Sequence, residues 1–171
     1  LCAMQEKIII SGMGSISALG SDTNEIWDHY QSKTTRITNC CFNNTDTPVG
    51  KLHPKEEALI KKLRQENIHY KRLDKTVLLS ILAARKATDQ ASWKNEKYVS
   101  VNLGSSRGAT QLFEKYHKKF LSSNYHRTTP RVSPTTTLGN LSSWVAYDLG
   151  LKGTSFSHSI TCSTALHSVL N

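Results

Sequence analysis

The stretch TSFSHSITCSTAL, residues 154–166, carries one thiol, Cys162, between Thr161 and Ser163. Thr154 to Ile160 reads as a short strand, and the small residues Ser163, Thr164 and Ala165 after the cysteine suit a sharp, unobstructed turn into a helix. A thiol at such a corner lies beside the unpaired N–H groups that open a helix. Those amides and the helix dipole favour thiolate over thiol and offer a donor to a developing oxyanion. The same pattern also suits a small buried apolar side chain, which is what most lone cysteines are. The corner alone leaves both readings open.

Working outward, YVSVNLGSSRGA (98–109) reads as a strand ending in a glycine turn, followed by a helix over TQLFEKYHKKFLS (110–122). After the loop NYHRTTPRVSPTTT (124–137) comes a helix from Leu138 to Leu149, stopped by Gly150. Further upstream, LDKTVLLSILAARKATDQ (73–90) is apolar over much of its helical circumference, which marks a core helix. A shorter amphipathic helix, Pro54 to Gln65, places Leu59, Ile60 and Leu63 on one stripe. KIIISGMGSISALGSD (7–22) predicts a buried strand from Lys7 to Ser11 and a turn at Gly12 and Gly14. Asp22 or Thr23 then caps a helix through Gln31, with Ile26, Trp27 and Tyr30 on one face. Residues 32–54, including NCCFNNTDTP, read as a polar excursion. Helices recurring between strands predict an α/β fold with a right-handed, mainly parallel sheet.

At 171 residues and 37% hydrophobic content the chain suits one globular domain. No apolar run is long enough for a membrane span, and the Ile8–Ile10 stretch is too short for a secretory segment, so a soluble cytoplasmic protein is expected. Met4 is a candidate native start. Cys2, Cys40, Cys41 and Cys162 lack the spacing of a metal site, and adjacent Cys40 and Cys41 are poorly placed to bridge each other. Reduced thiols, with no metal and no cofactor, are expected. Twenty-two Lys+Arg against 13 Asp+Glu give a formal charge of +9, a field that favours an acidic partner. The cations cluster at Lys61, Lys62 and Arg64, at Lys71, Arg72 and Lys75, and at Lys115, Lys118 and Lys119. Solvated helix faces explain such clusters equally well. No zinc-finger, basic-zipper or aromatic-interleaved pattern supports nucleic acid.

Four stretches in order resemble the β-ketoacyl-(acyl carrier protein) synthases, the condensing enzymes of fatty-acid and polyketide synthesis. These are IIISGMGSISALG (8–20), YKRLDKTVLLSILAARKA (70–87), VNLGSSRGA (101–109) and RVSPTTTLGNLSSWVAYDLGLKGTSFSHSITCSTAL (131–166). Gly139-Asn140 and the GLKG at 150–153 are closer to polyketide-type members.

The resemblance implies the thiolase-like fold, a layered α/β/α arrangement with a mixed, mainly parallel sheet. Residues 1–171 would form an incomplete N-terminal half of it. It implies that the Cys162 thiolate accepts an acyl group from an acyl carrier protein, and that a malonyl-carrier donor loses carbon dioxide and condenses with it. Such covalent catalysis divides one hard step into two easier ones. A homodimer, or a heterodimer with a related subunit, is implied as well. Arg107 and Gly108 would lie in the loop beside the acyl pocket, with Arg107 pointing outward where many relatives carry an apolar residue. Thr154 stands where proline is usual.

The family's two decarboxylating histidines and second oxyanion donor belong to a C-terminal half. None of the seven histidines here matches them, and the local geometry gives His158 and His167 no evident route to the sulfur. Residues 1–171 alone are therefore expected to be inactive in condensation. The competing reading is a noncatalytic chain-length or partner subunit of the same fold, or a basic binding module. Chain-length subunits typically lack the cysteine present here at 162.

Overall fold

Two aspartates fix where helices start. Asp22 accepts from the amides of Asn24 and Glu25, and Asp74 accepts from the amide of Thr76 at 2.9 Å. Each satisfies donors that no helical carbonyl can reach. A computed structural model describes residues 7–93 and 97–170 of the chain. The chain runs through α1 (Thr23–Gln31), β1 (Ile37–Phe42), β2 (Thr45–Gly50), α2 (Pro54–Glu66) and α3 (Lys75–Gln90). It continues through β3 (Val101–Gly104), α4 (Thr110–Ser122), α5 (Val132–Thr136), α6 (Asn140–Asp148), β4 (Ser155–His158) and α7 (Thr164–Leu170). Single 3₁₀ turns lie at Tyr70–Arg72 and Thr161–Ser163.

The expected core helix is the centre of the molecule. Val77, Leu78 and Ile81 of α3 are fully buried and pack with Ile60 and Leu63 of α2, Tyr70 and Leu73, and Leu141 and Val145 of α6. Each fully buried Leu or Ile contributes roughly 1.5–3 kcal/mol relative to exposure. Polar clasps lock the same elements. Asp148, on α6, accepts from Arg85 Nε at 2.8 Å, Arg85 Nη2 at 2.7 Å and the Tyr70 hydroxyl at 2.7 Å, while Arg85 Nη1 also reaches Glu66 at 2.8 Å. Burial, then the bond to Asp148, pushes the Tyr70 phenol above its ordinary value. The hydrogen bond to Asp148 does the same for the Arg85 guanidinium against its burial. Both groups therefore hold their protons as permanent donors.

β3 and β4 pair in parallel, with Val101 opposite Ser155 and Gly104 opposite His158, and helices fill the crossover between them. This is the expected α/β unit. A second sheet was not expected. The polar excursion is an antiparallel hairpin, β1 with β2, from Ile37 opposite Gly50 to Phe42 opposite Thr45. Asn43 and Asn44 both take positive φ, 48° and 63°, as a two-residue hairpin loop of the primed type requires. Cys40 is buried in this hairpin and Cys41 is exposed, rather than both lying in a loop.

The strand expected at Lys7–Ser11 is not formed, and Ile8, Ile9 and Ile10 are 99%, 78% and 81% exposed. Its β-branched run finds no neighbour to pair with among the described residues. The following segment lies flat on α3 instead: a Cβ on Gly12 or Gly14 would fall within 2.2 Å of the Ala87 or Ala83 carbonyl oxygen. Trp27 and Tyr30, expected with Ile26 on one face of α1, are exposed.

Asp74 performs a second task. Its Oδ2 accepts from the amide of Leu112, in the first turn of α4, at 2.9 Å, although the side chain is only 2% exposed as a residue. One carboxylate thus caps α3 and anchors α4. Asp74→Ala removes both acceptors from half-buried donors, and should cost about 2–3 kcal/mol of unfolding free energy in urea titration. Asp74→Asn, with one amide oxygen left, should fall between the two. A loss no larger than that of an exposed control such as Asp46→Ala would contradict the double cap.

Candidate active site

Cys162 sits in the 3₁₀ turn that joins β4 to α7, exposed to solvent. The corner is held by a buried threonine. Thr164 Oγ1 accepts from the amide of Ile160 at 2.8 Å and donates to the Thr161 carbonyl at 2.7 Å, which closes the chain around the cysteine. The Ser163 hydroxyl donates to the Ile160 carbonyl at 2.9 Å. Thr161, immediately before the thiol, has φ of 47°. For a β-branched residue this is a strained conformation, costing of order 1–3 kcal/mol, and it persists only where the surroundings impose it. Asn102 Nδ2 of β3 donates to the Ser168 carbonyl at 3.0 Å and fixes the far end of α7.

The glycine loop after β3 is drawn against this corner. Ser105 donates its amide to the His158 carbonyl at 3.0 Å, and Ser159 Oγ donates to the Ser106 carbonyl at 3.0 Å. Gly108 is buried with φ of +63°, a turn that an L side chain rarely adopts, and its amide donates to Ser105 Oγ at 3.0 Å. Arg107 is exposed, as expected of an outward side chain, yet it also forms part of the wall of a groove of about 510 Å³ that reaches Ser159. The loop that carries Arg107 and Gly108 is thus tied by hydrogen bonds to the His158–Ser159 segment that leads into the cysteine corner.

His158 ends β4 and His167 lies on α7, both half-buried. Among the described residues neither ring hydrogen-bonds Cys162, and the buried Nε2 of His158 has no partner. No cluster of three or more His, Cys, Asp or Glu side chains fit for a metal occurs among the described residues.

The sequence did not place the cations. Arg64, Lys71, Arg72, Lys115 and Arg131 converge on one hollow of about 390 Å³, with Asp74 and Tyr116 in its wall. They come from α2, the turn at 70–72, α4 and the loop before α5, and Arg64 Nη1 donates to the Lys71 carbonyl at 3.1 Å. Lys61 and Lys62, two expected members, do not line it. Thr164, Ser159 and Ser106 were also missed. Small hydroxyl residues have no sequence signature for bonds that cross between loops.

The family model for the β-ketoacyl synthase N-terminal domain matches residues 5–171. The chain belongs to the β-ketoacyl synthase family. It is 26% identical to 3-oxoacyl-[acyl-carrier-protein] synthase 2 of Staphylococcus aureus (strain COL), over 98% of this chain and 41% of that protein. It is 25% identical to Nodulation protein E of Rhizobium sp. (strain N33), over 97% of the chain and 42% of that protein. The chain thus spans about two fifths of the length of these curated relatives.

A β-ketoacyl synthase from Burkholderia phymatum STM815 superposes with a TM-score of 0.72 at 16% identity, over 96% of the chain and 42% of that structure. An acyl-carrier protein–ketosynthase complex of a type II polyketide synthase, AntDE:AntF, gives 0.71 at 16% identity, over 97% of the chain and 46% of that structure. The ishigamide ketosynthase/chain length factor gives 0.70 at 15% identity, over 88% of the chain and 39% of that structure. The fold is thiolase-like, with the parallel β3–β4 pair as part of its sheet.

Thr164 should be the structural key to the cysteine corner of this synthase-family chain. Thr164→Val keeps the volume and removes the acceptor of the Ile160 amide, whose loss costs about 1–3 kcal/mol when a buried donor is left unpaired. The Ile160 amide should then exchange with solvent roughly tenfold faster or more, read by NMR or mass spectrometry. Unchanged exchange would show that the hydroxyl does not hold the turn.

Proposed function

We propose that this chain is the acyl-accepting part of a β-ketoacyl synthase, with Cys162 as the nucleophile. One observation carries the reading: the thiol stands exposed on a strained strand–turn–helix corner, in a chain that matches the family from residue 5 to residue 171. The Cys162 sulfur attacks the carbonyl of an acyl thioester, a new S–C bond forms, and the carrier's thiolate leaves and takes up a proton. The amides of Ser163 and Thr164 are spent on the carbonyls of Ile160 and Thr161, so the amide of Cys162 itself is this chain's own donor for the tetrahedral oxyanion. The second half of the reaction is decarboxylation of a malonyl-carrier donor and attack of its enolate carbon on the Cys162 thioester. It needs acid–base groups that His158 and His167 do not bring into hydrogen-bond contact with the sulfur.

Acylation should therefore map to Cys162 when the protein is incubated with an acyl-carrier substrate or a cerulenin-like electrophile, and Cys162→Ala should abolish it. Residues 1–171 alone should form no β-ketoacyl product, because missing acid–base groups cost roughly 10²–10⁴-fold each. Adducts found mainly at Cys40 or Cys41 would refute the assignment. They would favour the noncatalytic chain-length reading, for which the ishigamide ketosynthase/chain length factor gives a structural parallel.

The partner in this reading is an acyl carrier protein, the kind of protein found in complex with the AntDE ketosynthase, and the formal charge of +9 here suits a carrier with an acidic surface. Support comes from the hollow where Arg64, Lys71, Arg72, Lys115 and Arg131 converge, since opposite charge raises encounter rates and fades with salt. Reversing Lys71 and Arg72 to glutamate should raise the carrier KM about tenfold at low salt and leave kcat nearly unchanged. Reversing Lys61 and Lys62, outside the hollow, should do much less. Equal effects from both pairs would mean diffuse charge rather than a dock.

A further inference from the structure

Two hollows meet on α4. One is the basic hollow of about 390 Å³, into which Arg64, Lys71, Arg72, Lys115 and Arg131 converge. The other, of about 260 Å³, is walled by Phe113, His117, Phe120, Thr128 and Val132, and Tyr116 belongs to both. Helix geometry explains the pairing. Residues three and four apart share a face, so Phe113, Tyr116, His117 and Phe120 form an aromatic stripe, with Leu112 and Lys115 on the stripe beside it. α4 buries none of its residues, so the aromatic stripe is unpartnered within the fold.

The basic hollow holds more charge than the fold itself uses. Among the described residues none of its five cations makes an ion pair, and only Arg64 spends a side-chain donor, on the Lys71 carbonyl. The carboxylate in the wall, Asp74, has both oxygens engaged by the amides of Thr76 and Leu112. Cations gathered in one concavity repel each other and focus a positive field, which a compact ligand with several negative charges relieves best. Arginine forks match phosphate oxygens in particular. The neighbouring hollow calls for something flat. Phe113 and His117 lie 11° from parallel with ring centroids 6.1 Å apart, and a planar base stacks on such faces.

We propose that the two hollows form one site for a purine nucleoside polyphosphate, with the phosphates among the five cations and the base on the aromatic stripe of α4. Tyr116, common to both walls, lies where base and phosphates join. A nucleoside triphosphate and the nucleotide end of coenzyme A share this chemistry. The binding does not depend on the carrier reading. Its consequence does: the carrier dock uses the same cations, so on that reading the nucleotide and the carrier exclude one another.

The test is calorimetric titration of the protein with ATP, in low salt and without divalent cations. Tripolyphosphate, which has similar charge and no base, and adenosine, which has the base alone, are titrated beside it. ATP should bind about tenfold tighter than tripolyphosphate or more, because a stacked base contributes on that scale, and adenosine should bind weakest. Phe113→Leu should bring ATP down to the tripolyphosphate level. Unchanged tripolyphosphate binding in the same variant shows that it is folded. Arg72→Gln with Arg131→Gln should weaken both phosphate ligands about tenfold or more. Lys61→Gln with Lys62→Gln, outside the hollow, should change them less than about threefold.

Coenzyme A is titrated as well, and the tighter of coenzyme A and ATP identifies the source of the polyphosphate. If neither exceeds tripolyphosphate, the nucleotide assignment is overturned. ATP binding that survives Arg72→Gln with Arg131→Gln, or that falls equally with Lys61→Gln and Lys62→Gln, would overturn the hollow as the phosphate seat. Tight ATP binding with no loss of carrier affinity would refute the shared dock and leave the nucleotide site standing.

Discussion

A single buried carboxylate, Asp74, holds the working parts in place. It closes the first turn of the central helix α3 and, through its other oxygen, receives the Leu112 amide of α4. The dependence is one-sided. α3 is embedded in the core by Val77, Leu78 and Ile81, whereas α4 has no buried residue and opens at Ala109 without a side-chain cap of its own. What seats α4 is therefore largely this one bond and its apolar contacts with the loop before α5. α4 in turn supplies Lys115 and Tyr116 to the basic hollow and Phe113 and Glu114 to the groove. The leucine–aspartate pair ahead of the long helix thus links core stability to both the hollow and the groove.

The readable parts of the sequence were those decided locally. Asp22, Asp74 and Pro54 announce helix starts through chemistry confined to three or four residues, and α1, α2, α3 and α4 fall within a residue or two of expectation. The strand–turn–helix setting of Cys162 was legible by the same means, from small residues between a strand and a helix. The β1–β2 hairpin escaped because its signal is two asparagines rather than Asn-Gly, and its strands face solvent without apolar alternation. The Ile8–Ile10 run misled for the opposite reason. Its composition is that of an interior strand, but pairing is a long-range property that no local pattern contains. The converging cations were illegible on similar grounds: Arg64 and Arg131 are 67 positions apart and meet only in the fold.

The division of chemistry follows from the placement of elements. Strain at Thr161 and the Thr164 clasp shape the turn that presents the Cys162 thiol, and the Ser159–Ser106 bond couples that turn to the loop carrying Arg107 and Gly108. These devices position a sulfur and the loop beside it. They do not move protons. A chain that aligns with about two fifths of a 3-oxoacyl-[acyl-carrier-protein] synthase thus builds a hydrogen-bonded cysteine corner of its own, and among the described residues neither His158 nor His167 hydrogen-bonds the thiol there.

The exposed isoleucines at 8–10 also have a colloidal consequence. With Val169 and Leu170, 82% and 69% exposed, they give this chain on its own an adhesive apolar surface. What keeps such molecules apart is their shared formal charge of +9, a repulsion that salt shortens from a reach of about 30 Å at 0.01 M to about 3 Å at 1 M. Salt therefore acts on the isolated chain as a precipitant before it acts as a denaturant. The same salt leaves the apolar packing of the core around α3 unscreened, because that packing is not electrostatic.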